Sequence, residues 1–319
     1  MDAGATEIGL ELGTVITPAV EAAFEEAAVS LHAGETERVY LKSLLDRVRH
    51  GELFLLVLYR SAGIAGVVCC RSVDDEAELI FGFLRPQFAG IERVFLAKVV
   101  DALAQRGMHV VRSGFTWPGA GGFVAAAAAM RFYTVPRISM ALDVADNRLF
   151  FYEPGPGVKV RPWSEACFED TCRIMYEESE PSDRKVYPLF SSPEGARTLL
   201  SSIVQGRHGT FLPGLSAVCE KDGQVAGFLL SSLLTDGSVL VLDIAVRKAY
   251  RRAGAGSRML EHLIGRCAAA GKRRIVLAVT ASNTAAIALY KKMGFREVST
   301  FDQHVLMLDK NREEIMTLS

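Results

Sequence analysis

Several features that announce particular classes of protein are missing from this chain. No apolar run approaches the roughly 18 residues of a membrane span; the two richest, Leu53–Leu58 and Phe123–Met130, are far shorter. Charge of either sign is not in excess. The formal net charge is −1, which argues against bulk electrostatic attraction to nucleic acid or to an anionic membrane. The first seven residues include Asp2 and Glu7 and no basic residue, so they do not read as a secretory signal. Histidine is sparse, and Cys69, Cys70, Cys167, Cys172, Cys219 and Cys267 form no C-x-x-C pair. A zinc site is not expected; buried reduced thiols and a cytoplasmic location are.

What is present suits a large folded body. Half of the 319 residues are apolar, ample for more than one core, and the length favours two domains. Asp146–Gly157 ends in Pro154, Gly155, Pro156 and Gly157 and reads as a linker or surface crossing. It divides the chain into residues 1–146 and 147–319. After it, Val158–Pro162 reads as a short strand and Ser164–Tyr176 as a helix capped by Ser164. Leu215–Glu220 and Val225–Leu234 predict a hairpin turning at Lys221-Asp222-Gly223. Val239–Val246 is almost wholly apolar and reads as a strand buried on both faces. Gly254–Ala270 carries Met259, Leu260, Leu263, Ile264 and Cys267 on one helical face, and Gly271 ends it. A strand at Arg274–Val279, a helix at Thr284–Met293 and a closing strand at Gln303–Leu308 complete an α+β, or mixed α/β, layered fold.

The segment Asp243–Leu260, DIAVRKAYRRAGAGSRML, runs from that apolar strand through R-x-x-G-x-G into the amphipathic helix. Gly254 and Gly256 permit turn geometry and close approach of an anion. The first N–H groups of the helix then point at it with the helix dipole behind them. Arg247, Lys248, Arg251, Arg252 and Arg258 surround the turn, with no acid among residues 244–260; it looks built for a pyrophosphate. The spacing is not that of a dinucleotide-binding G-x-G-x-x-G followed by an acid about 20 residues on, nor is there a Gly-Lys-Ser/Thr.

A second motif follows 29 residues after Gly254: SNTAAIALYKKMGF at 282–295, an N-x-x-A-x-x-x-Y-x-x-x-G-F pattern. Together the two motifs resemble the GNAT superfamily of acyl-CoA-dependent N-acetyltransferases, over about residues 158–309. The resemblance implies the roles of particular residues. Acetyl-CoA would be the cofactor, its pyrophosphate held by the turn from Arg251 and Arg252 through Ala253, Gly254, Ala255, Gly256 and Ser257. Ile244, Ala245 and Val246 would bond the pantetheine arm and lend an N–H to the acetyl oxygen. Asn283 and Ala286 would line the arm, and Tyr290 would lie near the sulfur. The residue types suit the chemistry: amine attack on a thioester makes an oxyanion that a fixed donor stabilises, and the leaving thiolate needs a proton that a phenol can supply. Asp243, the only charge in its strand, is the candidate base, because burial raises a carboxyl pKa. Strand alternation leaves open whether it faces the acetyl group, and deprotonation through water is the alternative.

The first half repeats the second. Residues 84–96, LRPQFAGIERVFL, align with Val246–Arg258 at an offset of 162; Phe88 matches Tyr250, and Met130-Arg131-Phe132 matches Met293-Gly294-Phe295. Strands at Leu53–Tyr59 and Ile64–Cys70, turning at Ser61-Ala62-Gly63, precede the first copy as a hairpin precedes the second. The chemistry differs: Ala89 stands for Arg251, Glu92 for Gly254, Val94 for Gly256 and Ala127 for Tyr290. A carboxylate and a β-branched side chain in the turn oppose a phosphate. The glycine-rich Trp117–Gly122 has no basic residue on its helix and reads as a connecting loop. The expectation is therefore a tandem protein of two GNAT-like lobes, each a mostly antiparallel sheet flanked by helices, the first without cofactor.

The expected activity is acetyl transfer from CoA to a primary amine by direct attack in a ternary complex. The acceptor would be a small molecule or peptide, with neither nucleic acid nor membrane as partner, the chain acting as monomer or homodimer. Two alternatives remain: a non-catalytic acyl-CoA-binding regulator, and an enzyme similar to mycothiol synthase acting on a thiol-precursor amine. The resemblance implies that the loop Glu177–Pro188 lies where the family builds its acceptor wall, and Glu177, Glu178, Glu180 and Asp183 could attract a cationic amine or simply be solvated.

Overall fold

Period-2 and period-3.6 patterns become strands and helices over residues 8–13, 15–60, 63–146 and 157–308, which the computed structural model describes. The first-half turn at Ser61-Ala62 and most of the Pro–Gly linker lie outside these. Contacts divide the chain into two units, with breaks at 134/135 and 301/302.

The first unit contains β1 (Ile8–Gly13), α1 (Pro18–Ser30), α2 (Glu35–Arg49), β2 (Phe54–Arg60), β3 (Gly63–Val73), β4 (Glu76–Leu84), α3 (Glu92–Gln105), β5 (Val110–Ser113) and α4 (Gly121–Ala129). Its strands pair in sequence order, antiparallel except for the parallel pair β4/β5. Residues His304–Met307 add an antiparallel strand beside β5. Thr17 caps α1, with Pro18 in the first turn, where its missing N–H costs nothing.

The second unit contains most of β6 (Tyr133–Asp143), then β7 (Lys159–Pro162), α5 (Phe168–Glu178), α6 (Pro181–Val186), α7 (Pro193–Val204), β8 (Thr210–Phe211), β9 (Ala217–Lys221), β10 (Gln224–Leu233), β11 (Val239–Val246), α8 (Ala255–Ala269), β12 (Arg274–Thr280), α9 (Thr284–Lys292) and the start of β13 (Arg296–Met307). Its sheet runs β6-β12-β11-β10-β9-β7, with β8 against β10. The fold is mixed α/β with mostly antiparallel pairing, as the sequence implies. The hairpin turn is as read: Asp222 and Gly223 both have positive φ (53° and 77°), the type I′ geometry of two-residue loops. Met259, Leu260, Leu263, Ile264 and Cys267 are buried on α8, each such side chain contributing about 1.5–3 kcal/mol when fully buried. All six cysteines are free and buried.

Three details depart from the sequence reading. Ser164 makes no side-chain cap; a short 3-10 turn at Glu165–Cys167 precedes α5. β11 is apolar yet mostly half-buried, because it pairs with β12 only at Val239 and Leu240 and then diverges from it. The units are not the two halves of the chain. β6, which precedes the Pro–Gly segment, pairs with β12 from Arg137↔Thr280 to Asp143↔Arg274, and the end of β13 pairs in the first unit.

With α6 and β8 set aside as additions in the second, both units follow the order β-α-α-β-β-β-α-β-α and share local geometry. In the first, Arg85 N–H donates to Ala65 and Phe88 N–H to Arg85; in the second, Arg247 N–H donates to Ala226 and Tyr250 N–H to Arg247. Register shifts place one extra residue on each equivalent strand: Ile80 on β4, Leu242 on β11. After α4 and α9 the amides of Phe132 and Phe295 donate to Ala127 and Tyr290, with Arg131 (φ 59°) and Gly294 (φ 93°) in the left-handed region. These positions are related by offsets of 161 to 163 residues, close to the 162-residue offset seen in the sequence.

Candidate active site

The divergence of β11 from β12 opens a cavity of about 840 Å³ within the second unit, inside the usual ligand-pocket range of about 300–1,000 Å³. All fourteen site residues named from the sequence line it: Asp243, the 244–246 strand end, the 251–257 turn, Asn283, Ala286 and Tyr290.

The turn forms because Arg252 and Gly254 both take left-handed backbone (φ 65° and 84°). A Cβ on Gly254 would meet open space but strained φ. Gly254 is the N-cap of α8 and supplies no side-chain cap, so the first helical N–H groups are left as donors toward the cavity. Gly256 has a different task from close approach to an anion alone: a Cβ there would lie 2.9 Å from Leu289 Cδ2 on α9. Its missing side chain seats one helix on the other.

Arg247 N–H bonds Ala226 on β10. By the alternation of an antiparallel ladder, Ile244 and Val246 therefore direct their N–H and C=O groups to the open side. Two of these groups have protein partners. The Ile244 amide donates to the Asp243 carboxylate, and the Val246 carbonyl accepts from Arg251 Nε at 3.1 Å. Asn283 uses its carbonyl oxygen to cap α9, accepting from Ala286 N–H at 3.1 Å; its place in the motif has a structural cause, and its NH₂ remains for a ligand.

By strand alternation Asp243 shares the Ala245 side of β11, the side packed by α5 and α7, and the extra residue Leu242 packs there as well. Burial, then the nearby Asp183 carboxylate, push its pKa up to about 7, against the Ile244 hydrogen bond that lowers it. Tyr290 is buried, its ring 5.8 Å from that of Phe295. Burial first, then Asp243 and Asp183, raise its phenol pKa well above the ordinary value, so it stays protonated across the working pH range.

The acids of the loop expected to form the acceptor wall are not simply solvated. Glu177 meets Arg247 at 2.9 Å; Glu178 meets Arg251 at 2.9 Å and accepts from Lys248 N–H; Glu180 lies 3.6 Å from Arg251. Asp183 accepts from the Thr280 hydroxyl at 2.6 Å. Arg137, on β6, lines the same cavity. It and Thr280 carry no motif, and their position beside the site depends on the β6/β12 pairing.

The equivalent space in the first unit is packed with side chains. A Cβ on Gly82, the counterpart of Ile244, would lie 3.1 Å from Trp117 and 3.4 Å from Phe123. The ring of Phe81, the counterpart of Asp243, lies 6.2 Å from that of Trp117, tilted by 59°. Glu92 accepts from Gly90 N–H at 2.9 Å and crowds Gly122 at the start of α4, so a carboxylate of the turn itself occupies one of its donors.

Comparison with known proteins agrees with this geometry. The profile of the acetyltransferase (GNAT) family matches residues 169–295. Those residues form a GNAT acetyltransferase domain. The ribosomal protein bS18-alanine N-acetyltransferase of Escherichia coli K12 is 40% identical over 79 residues, 25% of this chain and 53% of that protein. An N-alpha-acetyltransferase of Sulfurisphaera tokodaii is 34% identical over 93 residues, 25% of this chain and 56% of that protein. The chain thus spans about half the length of these curated relatives. A GCN5-related N-acetyltransferase from Sphaerobacter thermophilus superposes with TM-score 0.59 at 18% identity, over 93% of this chain and 95% of that one. A tandem GNAT protein from the clavulanic acid biosynthesis pathway gives TM-score 0.57 at 13% identity, over 94% and 98%. At such identities the likeness is one of fold, and the second neighbour carries the GNAT fold in tandem.

Proposed function

We propose that the GNAT domain transfers an acetyl group from acetyl-CoA to a primary amine. The observation that carries this is the convergence, in one cavity, of an uncapped helix start behind a glycine turn, a diverging strand edge, a buried phenol and a carboxyl of raised pKa. The residues fit the cofactor. The 252–257 amides and Arg252 would hold the pyrophosphate, the edge of β11 would bond the pantetheine arm, and acetyl-CoA, when bound, supplies the acetyl thioester that the amine attacks.

The protein's own residues then handle protons and orientation. Asp243, with a pKa of about 7, takes the proton of the arriving ammonium. An α-amine near pKa 7.7–8.0 gives up that proton about one unit uphill, roughly 1.4 kcal/mol, whereas an ε-amine near 10.4 needs about 4.6 kcal/mol. The matching favours an α-amine, in keeping with the names of the bS18-alanine and N-alpha relatives. As Asp243 takes up the proton it becomes a poorer acceptor for the Ile244 N–H, which is then released toward the acetyl oxygen. Tyr290 donates a hydrogen bond to the departing sulfur. Its raised pKa makes it a weak acid, so its contribution lies at the low end of general-acid effects. We assign no cofactor to the first unit, whose aromatic packing and Glu92 occupy the corresponding space.

Acetyl-CoA turnover against a panel of α-amines, ε-amines and polyamines tests the proposal. Coupled release of the free thiol and of an acetylated amine is expected, fastest with α-amines. Tight CoA binding with no acetylated product from any amine would refute it in favour of a binding role.

A further inference from the structure

The acceptor end of the cavity is charged in a way that proton transfer alone does not require. Asp183, on α6, lines it, with Oδ1 taken by the Thr280 hydroxyl at 2.6 Å and lying 3.5 Å from Arg137 Nη1. Arg137 donates Nη1 to Thr280 Oγ1 at 2.8 Å and Nη2 to the Ala278 carbonyl at 2.9 Å. The Tyr187 ring stands 5.8 Å from its guanidinium carbon. The Thr280 hydroxyl thus accepts from Arg137 and donates to Asp183, and the three groups form a chain. With its side chain only 7% exposed and both terminal nitrogens committed, Arg137 cannot turn to receive a carboxylate. The Asp183 side chain is 25% exposed to the cavity, and among the described residues no hydrogen-bond partner meets its Oδ2. Asp183 is near enough to Asp243 and Tyr290 to disfavour the charged form of both, so it faces the point where the proton is handled.

We propose that Asp183, held in place by Thr280 and Arg137, binds the acceptor's ammonium, and that this end of the cavity selects amines carried on a group without a neighbouring carboxylate, such as a peptide N-terminus, over free amino acids. The inference rests on the amine-acetyltransferase reading and adds the class of carrier. An ammonium gains a charge-assisted hydrogen bond to Oδ2. A carboxylate one carbon from the amine meets Asp183 and Asp243, while Arg137 beside them is already committed to Thr280 and Ala278, and like charges this close in a partly buried site repel strongly. Arg137 and Thr280 act through Asp183 and are positioning residues.

L-Alaninamide and L-alanine share the α-amine and differ in the carboxylate, so they are the probes, used with the full chain saturated with acetyl-CoA. The wild-type chain is expected to prefer alaninamide at least about tenfold in kcat/KM. Asp183→Asn keeps an oxygen for the Thr280 hydroxyl. It should raise the alaninamide KM about tenfold, the scale of one charge-assisted hydrogen bond, and narrow the preference. Its affinity for CoA, measured by calorimetry, should stay within about twofold. Thr280→Val should raise the same KM, and Thr280→Ser should restore it, which a merely structural threonine would not do. An unchanged alaninamide KM in Asp183→Asn, or equal use of alanine by the wild type, overturns the proposal. If the wild type turns over neither probe, the acetyltransferase reading fails by itself, and calorimetric titration of both amines into the CoA-saturated chain decides the present one. Alaninamide binding that Asp183→Asn abolishes supports it; no binding, or binding that Asp183→Asn leaves intact, overturns it.

Discussion

Asp243→Asn should stabilise the protein and inactivate it, and the stabilisation should grow with pH. In the folded chain, burial and Asp183 push the Asp243 carboxyl up to about 7; in the unfolded chain it returns to about 3.9. A raised carboxyl pKa means that the folded state holds a proton which the unfolded state has lost. This contribution to stability is complete below pH ~4, declines as pH rises, and is gone once pH passes the folded value near 7. With about 1.4 kcal/mol per unit, keeping an ionisable carboxyl here rather than a neutral side chain costs about 1.5 kcal/mol at pH 5, where only the unfolded state is ionised, and about 4 kcal/mol at pH 9. Asn has the same shape and no charge. Urea unfolding of wild type and variant across pH 5–9 should show the gap widening by roughly 2.5 kcal/mol, and a higher melting temperature at pH 9 by roughly 10 °C. Over the same range, wild-type kcat/KM for an amine should fall on the acid side of about pH 7 as Asp243 takes up one proton. The variant should lose about a hundredfold or more, the usual scale for a general base. A stability gap that does not change with pH would refute the buried-charge reasoning. Retained activity in the variant would move deprotonation to water.

The other expectations are simpler to test. Calorimetry should find one CoA per chain; two equivalent sites would contradict the filled state of the first unit. Gly256→Val should lower both melting temperature and CoA affinity, since its side chain meets Leu289, and adding Leu289→Ala should recover the melting temperature but not the affinity. An affinity loss without any change in stability would return Gly256 to an anion-approach role alone. Tyr290→Phe should reduce kcat about tenfold with acetyl-CoA affinity nearly unchanged, and because the phenol pKa is raised the wild-type rate should show no loss from phenol ionisation near pH 10; such a loss would mean the phenol titrates freely.

The elements and the glycine turn were legible in the sequence because both are written locally. Alternation and 3.6-residue periodicity placed β10, β11, α8 and α9 within a residue or two of their observed ends. Gly254 could be read because left-handed backbone at φ 84° leaves glycine as the ready choice. The internal repeat was legible from the 162-residue offset, and it extends to features no residue type announces, such as the extra residues Ile80 and Leu242. Local reading gave two answers that were too simple. Gly256 and Asn283 looked like ligand positions, and each also serves α9, one seating Leu289 and the other capping the helix.

Strand partnership was decided only by the tertiary structure. A strand's side-chain pattern tells which face is apolar, but ladder hydrogen bonds come from the backbone, which every residue shares, so the pattern does not name the neighbour. The sequence therefore showed strands at both ends of the chain without showing that β6 lies against β12, or that the end of β13 lies against β5. The first pairing carries Arg137 to Thr280 and Asp183, and the early divergence of β11 from β12 opens the cavity. The sequence by itself determined the chemistry available to this protein, a glycine turn, a phenol and an isolated carboxyl. The tertiary structure decided how deeply that carboxyl is buried and which charged groups surround it, and hence what its pKa becomes.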